Sequence, residues 1–93
     1  MKYMISWRVR PESYKDGVKR FLKTGGTPPK GLKTIGRWHA PGSTVGWHLV
    51  EGTDAALAEN AVLWADLLDI TVTPVIEDEV AAAAAAKVYG KKK

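Results

Sequence analysis

At 93 residues, 10.1 kDa, 45% hydrophobic and 26% charged, the chain is sized for one globular domain with no room for a second. It has no cysteine, which removes disulfide-stapled scaffolds, Cys-type zinc modules, thiol enzymes and iron–sulfur proteins together. Its net charge of +4 is uneven: residues 1–50 hold ten Lys/Arg against two Asp/Glu, residues 51–93 four against eight, and the terminal Lys91, Lys92 and Lys93 read as a solvated tail.

The first element is a strand. Tyr3, Ile5, Trp7 and Val9 alternate with Met4, Ser6 and Arg8, and Pro11 ends the run. From about Glu12 to Lys23, Tyr14, Val18, Phe21 and Leu22 recur at helical spacing between lysines and an arginine, with Gly25-Gly26 as the stop and Gly17 as a weak point. Thr27-Pro28-Pro29-Lys30-Gly31 is a stiff connector. Leu32 to His39 and Val45 to Glu51, separated by Ala40-Pro41-Gly42-Ser43-Thr44, read as a hairpin. Thr53 or Asp54 can cap a second helix reaching about Leu68, with Leu57, Ala61, Trp64 and Leu68 as its buried stripe. Asp69 to Val75 is a β-branched run whose Pro74 suits a sheet edge. Glu77 to Tyr89, with acids first, six alanines and a lysine near the end, is a strong helix former.

The order β-α-β-β-α-β plus a terminal helix predicts an α+β, ferredoxin-like fold: a four-stranded antiparallel sheet with two helices on one face, over residues 1–76, followed by an Ala-rich helix and Lys tail over 77–93. Such a sheet leaves its second face open. A chain this short gains core by pairing that face with a second copy, so a homodimer through sheet faces is expected.

Phe21-Leu22-Lys23-Thr24-Gly25-Gly26, Pro28-Pro29-Lys30-Gly31, Gly36-Arg37-Trp38-His39, Trp64-Ala65-Asp66-Leu67-Leu68 and Val72-Thr73-Pro74-Val75 resemble a small prokaryotic family, domain of unknown function 3303, over roughly residues 1 to 80. The resemblance implies a dimeric α/β barrel, in which two ferredoxin-like sheets face each other. Proteins of that architecture include cofactor-free oxygenases, haem-degrading enzymes and proteins similar to muconolactone isomerase and chlorite dismutase. The haem-degrading relatives carry an axial histidine on a helix, and none lies between Asp54 and Leu68 here.

Chemistry concentrates in the hairpin, where Arg37, Trp38, His39, Trp47 and His48 fall close together. If paired residues have numbers of odd sum, as with His39 opposite His48, Trp38, Trp47 and Leu49 share one face and Arg37, His39, His48 and Val50 the other; an even sum splits the histidines. The odd register is expected, with Trp38 and Trp47 in the core and the Arg/His face opposite it, inside a dimer barrel. His39 and His48 are then candidate general bases near neutral pH, and Arg37 a holder of a carboxylate, enolate or phosphate. Arg8 and Ser6 are candidates to join the substrate pocket. The competing reading makes the histidines hydrogen-bonded or exposed strand residues and Arg37, Arg8 and Ser6 dimer contacts; Trp64 itself reads as core, and Asp66 as a local hydrogen-bond acceptor or partner-charge residue, with catalysis as its lesser alternative.

No cofactor and no metal are expected, because two histidines lack a third ligand at a suitable spacing. Phosphate-loop and nucleophile-elbow patterns are absent, and Val45-Gly46-Trp47-His48-Leu49-Val50 lacks the basic residue of an RNA-reading strand, so nucleic acid is not an expected partner. No run approaches the roughly 18 apolar residues of a membrane span, and early charges interrupt any signal-peptide core, so a cytoplasmic location is expected. The leading reading is a dimeric protein binding a small anionic or aromatic molecule between sheet and helices, with cofactor-independent His base catalysis as its enzymatic form. The alternative is a non-catalytic interaction or assembly subunit with a closed barrel.

Overall fold

A computed structural model describes residues 1–90; the lysine tail lies outside the described residues. In chain order it contains β1 (Lys2–Val9), a 3-10 turn (Pro11–Ser13), α1 (Tyr14–Thr24), β2 (Leu32–His39), β3 (Val45–Gly52), α2 (Asp54–Trp64), β4 (Leu68–Val75) and α3 (Asp78–Tyr89). The four strands form one antiparallel sheet in the order β2-β3-β1-β4. This is the ferredoxin-like α+β arrangement that the element order predicts, with Pro74 on an edge strand as its missing N–H requires.

Local chemistry fixes the helix ends. Gly25, at φ 71°, donates its N–H to the Phe21 carbonyl at 2.7 Å and closes α1 in the left-handed conformation that glycine adopts without strain. Gly17 is buried against β1, its side-chain direction ending 3.7 Å from Val9. Thr53 caps α2, its hydroxyl accepting from the Ala56 N–H at 3.2 Å. The second helix stops at Trp64 rather than near Leu68: the Leu67 N–H turns back to the Trp64 carbonyl, and Leu68 already pairs with Val9 as the start of β4.

β1 runs through the middle of the sheet and decides which face is covered. Its pairs Tyr3–Val50, Ile5–His48, Ile5–Val72 and Trp7–Ile70 put all these side chains on the side of α1 and α2. The core there is small: Tyr3, Ile5, Leu32, Val50 and Ala56, with Leu57, Ile70 and Val72 packed against it. The Tyr3 hydroxyl donates to Asp54 at the start of α2, which ties that helix to the sheet.

The hairpin has the expected odd register, pairing Arg37 with His48, Trp38 with Trp47 and His39 with Gly46. The residues group as expected, but the faces are inverted. Arg37, His39 and His48 lie on the helix-bearing face, with His39 exposed at its edge, while Trp38 and Trp47, expected in the core, are 55% and 43% exposed on the open face. The cause is non-local: β3 must place Val50 beside Tyr3, and that pairing carries His48 inward with it. A β-bulge between Thr34 and Gly36 inserts Ile35 as an extra residue, so Leu32 and Thr34 share a face with Arg37 and His39 across the irregularity.

α3 stands apart from this body. All twelve of its residues are exposed, and the molecule is drawn out to 60 × 27 × 18 Å. Its root is held by the ion pair of Lys2 with Glu77.

Candidate binding cavity between sheet and helices

α1 and α2 do not close fully onto the sheet. Between them lies a cavity of about 360 Å³. Ile5, Trp7, Ile70 and His48 form its sheet wall, Val18 and Phe21 line it from α1, and Asn60 and Trp64 from α2. Gly46 explains how the sheet wall holds an indole, because a Cβ there would overlap the Trp7 ring.

Charged side chains keep the helices in place at a distance. Arg20 of α1 grips Asp66 through both guanidinium ends at 2.9 and 2.7 Å, donates to the Leu63 carbonyl at 2.8 Å and lies 5.5 Å over the Trp64 ring. The hydrogen bond from Arg20 holds the Asp66 carboxyl below its ordinary range. Arg10 adds a bond to Asp69 at 2.7 Å and bonds to the Asp66 and Ala65 carbonyls at 2.6 and 3.1 Å. Both arginines thus sit where the end of α2 presents unpaired carbonyls. Asp66 is the local acceptor that the bland sequence reading expected.

The rim is built by the hairpin loop and the start of α1. The Tyr14 hydroxyl donates to the Gly42 carbonyl at 2.8 Å, and His39 Nδ1 lies 3.1 Å from the Ser43 hydroxyl. The His39 ring meets Trp7 and Phe21 edge-on, at centroid distances of 5.2 and 5.5 Å.

Of the predicted site residues, Arg37, His39 and His48 border this one cavity. Arg37 does not point a free fork into it. Its two terminal nitrogens donate to the Gly26 and Gly25 carbonyls at 2.7 and 3.0 Å, and its guanidinium lies 5.2 Å over Phe21, locking the end of α1 to β2. His48 is 6% exposed, with Nε2 2.8 Å from the Thr34 hydroxyl. Burial, helped by the charge of Arg37, pushes its pKa down to about 4, so the expectation of a base titrating near neutral pH does not hold for His48. Ser6 and Arg8 are placed elsewhere. Ser6 pairs with Trp47 and Thr71, and Arg8 with Val45 and Asp69, on the open face away from the cavity.

Sequence reasoning passed over Asn60. It is 7% exposed, borders the cavity and has no side-chain hydrogen bond to another described residue. Its position was the available signal, since Asn60 lies four residues after buried Ala56 and four before Trp64, on the stripe facing the sheet. Among the described residues no group of three His, Asp or Glu side chains could hold a metal ion, and no helix is long and apolar enough to cross a membrane.

Neither a curated protein nor a solved structure matches the chain. A family model does: residues 1–89 match the domain of unknown function DUF3303, and the chain belongs to that family.

Proposed function

We propose that the cavity binds one small aromatic or anionic molecule between the sheet and the helices, in contact with His48 and within the field of Arg37. The observation that carries this reading is the composition of the wall. Trp7, Phe21 and Trp64 supply aromatic surface, and among the described residues Arg37 is the only formally charged one in the lining and no Asp or Glu borders the space. A volume of about 360 Å³ suits a one- or two-ring ligand. An unfilled cavity favours binding over the alternative of a closed, non-catalytic assembly subunit. In the enzymatic form of this reading no cofactor takes part. The rim residue His39 is then the candidate base, and buried His48 is a neutral hydrogen-bond partner.

A second copy on the open face belongs to the same proposal, as does a cytoplasmic setting. Trp38 and Trp47 stand side by side there, with Met4 and Leu49 half-buried nearby. Four strands of eight residues offer a plan area of roughly 500 Å², most of one partner's share of a standard interface.

Binding is tested by tryptophan fluorescence with naphthalene and 2-naphthoate as probes. Saturable quenching at one site per chain is expected, since Trp7 and Trp64 line the cavity. No saturable change with either probe up to about 1 mM, near the weak end of specific binding, refutes the reading.

A further inference from the structure

A buried amide without a partner is costly. An Asn in apolar surroundings gives up its hydrogen bonds to water, a loss that goes uncompensated unless another partner takes their place. Asn60 is more than nine-tenths buried, yet its amide bonds to no other described residue, although the same helix face elsewhere carries Ala56, Leu57 and Trp64. No side-chain nitrogen or oxygen of the described residues is both fully enclosed and unpaired, so the Asn60 amide keeps its access to open space, and the open space it borders is the cavity.

His48 approaches the same space from the sheet. With the ring proton on Nε2 donating to the Thr34 hydroxyl, Nδ1 is left as an acceptor free for a ligand. Arg37, directly across the ladder from His48, has both terminal nitrogens engaged by the Gly25 and Gly26 carbonyls, so it offers the ligand a field but not the open fork that grips a carboxylate. Apart from Tyr14, His39 and Ser43 at the rim, the free polar groups of the buried described residues lining the cavity are therefore one imidazole nitrogen and one amide, set among indole and phenyl rings.

We propose that Asn60 and His48 together select the ligand: the cavity takes a planar aromatic compound bearing an un-ionised hydroxyl, a phenol or enol, whose O–H donates to Nδ1 of His48 while its oxygen accepts from the Asn60 amide. This rests on the cavity being a binding site, and it adds the class of molecule and the residue that distinguishes it. A hydroxyl matches the pair because it is donor and acceptor at one atom. A bare hydrocarbon leaves both groups unpaired. A carboxylate offers no donor to the neutral imidazole and brings a full charge into an apolar space.

Four probes of nearly one shape separate the possibilities: naphthalene, 2-naphthol, 2-methoxynaphthalene and 2-naphthoate, titrated into the intact chain near pH 7. Expected is 2-naphthol about tenfold tighter than naphthalene, with the methoxy compound, which keeps the acceptor and loses the donor, close to naphthalene. In Asn60→Leu the ratio of 2-naphthol to naphthalene affinity, read within the one variant, falls to about twofold. The same variant melts at or above the wild-type temperature, because no protein hydrogen bond is lost; an Asn60 with a structural role predicts the opposite. Equal affinities for 2-naphthol and naphthalene overturn the selection and leave the cavity reading standing. Tightest binding of 2-naphthoate overturns it in favour of an anion, and failure of all four probes removes the cavity reading as well.

Discussion

Lowering the pH should destabilise this protein through His48, by an amount the structure sets. The imidazole is 6% exposed, and burial with the nearby Arg37 charge brings its pKa from 6.5 to about 4. An unfolded chain has the ordinary value, so between pH 6.5 and 4 the unfolded state binds the proton that the folded state refuses. Stability then rises with pH through this window, is fully present above about 6.5, and is lost as the pH falls toward 4. The difference is worth about 3 kcal/mol, a large share of the 5–15 kcal/mol typical of a domain. Urea unfolding followed by circular dichroism at pH 7.5, 6, 5 and 4 measures the total. His48→Gln, which can still bond Thr34 but does not titrate, removes the histidine part, since carboxylates contribute alike to both proteins. The wild type should lose about 3 kcal/mol more than the variant across the window. Superimposable profiles, or a His48 pKa of 6 or above by NMR, would sink the reasoning.

Gly46→Ala should force Trp7 off the sheet wall and cost roughly 1–3 kcal/mol, visible in thermal melts together with a changed tryptophan spectrum. Val50→Ala, at a fully buried side chain, should cost about 2 kcal/mol and lower Tm by roughly 8–16 °C. Arg20→Met keeps the contact with the Trp64 ring and loses the grip on Asp66. It should lower Tm by a few degrees, a deficit that shrinks in about 1 M salt as exposed charges are screened. Trp38→Asp combined with Trp47→Asp should weaken the proposed self-association at least tenfold in sedimentation and lower the melting temperature with it, since the stabilising copy is lost and two like charges face each other across the ladder.

What could be read from the sequence was whatever depends on neighbours along the chain. The alternation of Tyr3, Ile5, Trp7 and Val9, the Gly25 stop, the Thr53 cap, the hairpin register and the edge position of Pro74 are all local. The inward face of the hairpin is not. It follows from the pairing of β3 with β1, more than forty residues away in the chain, and hydrophobicity alone pointed the wrong way because Trp38 and Trp47 outweigh His48 and Arg37. The candidate cluster was found and its members stayed together, yet the destination of the Arg37 guanidinium depended on where the end of α1 comes to rest. Ser6 and Arg8 were grouped with it by polarity, and their ladder positions separate them from it.

The bulge in β2 makes Ile35 a spare residue. Thr34 already faces Val50 and Gly36 already faces Leu49, so removing Ile35 would leave every other partner in the ladder unchanged and merely straighten the strand. Ironing out the bulge with Ile35 kept in place is a different matter. With Leu32 and Thr34 fixed, each later side chain would change sides, sending Arg37 and His39 out and Trp38 into the cavity. This strand should therefore tolerate a one-residue deletion better than a one-residue insertion, an asymmetry that no count of exposed or buried side chains would reveal.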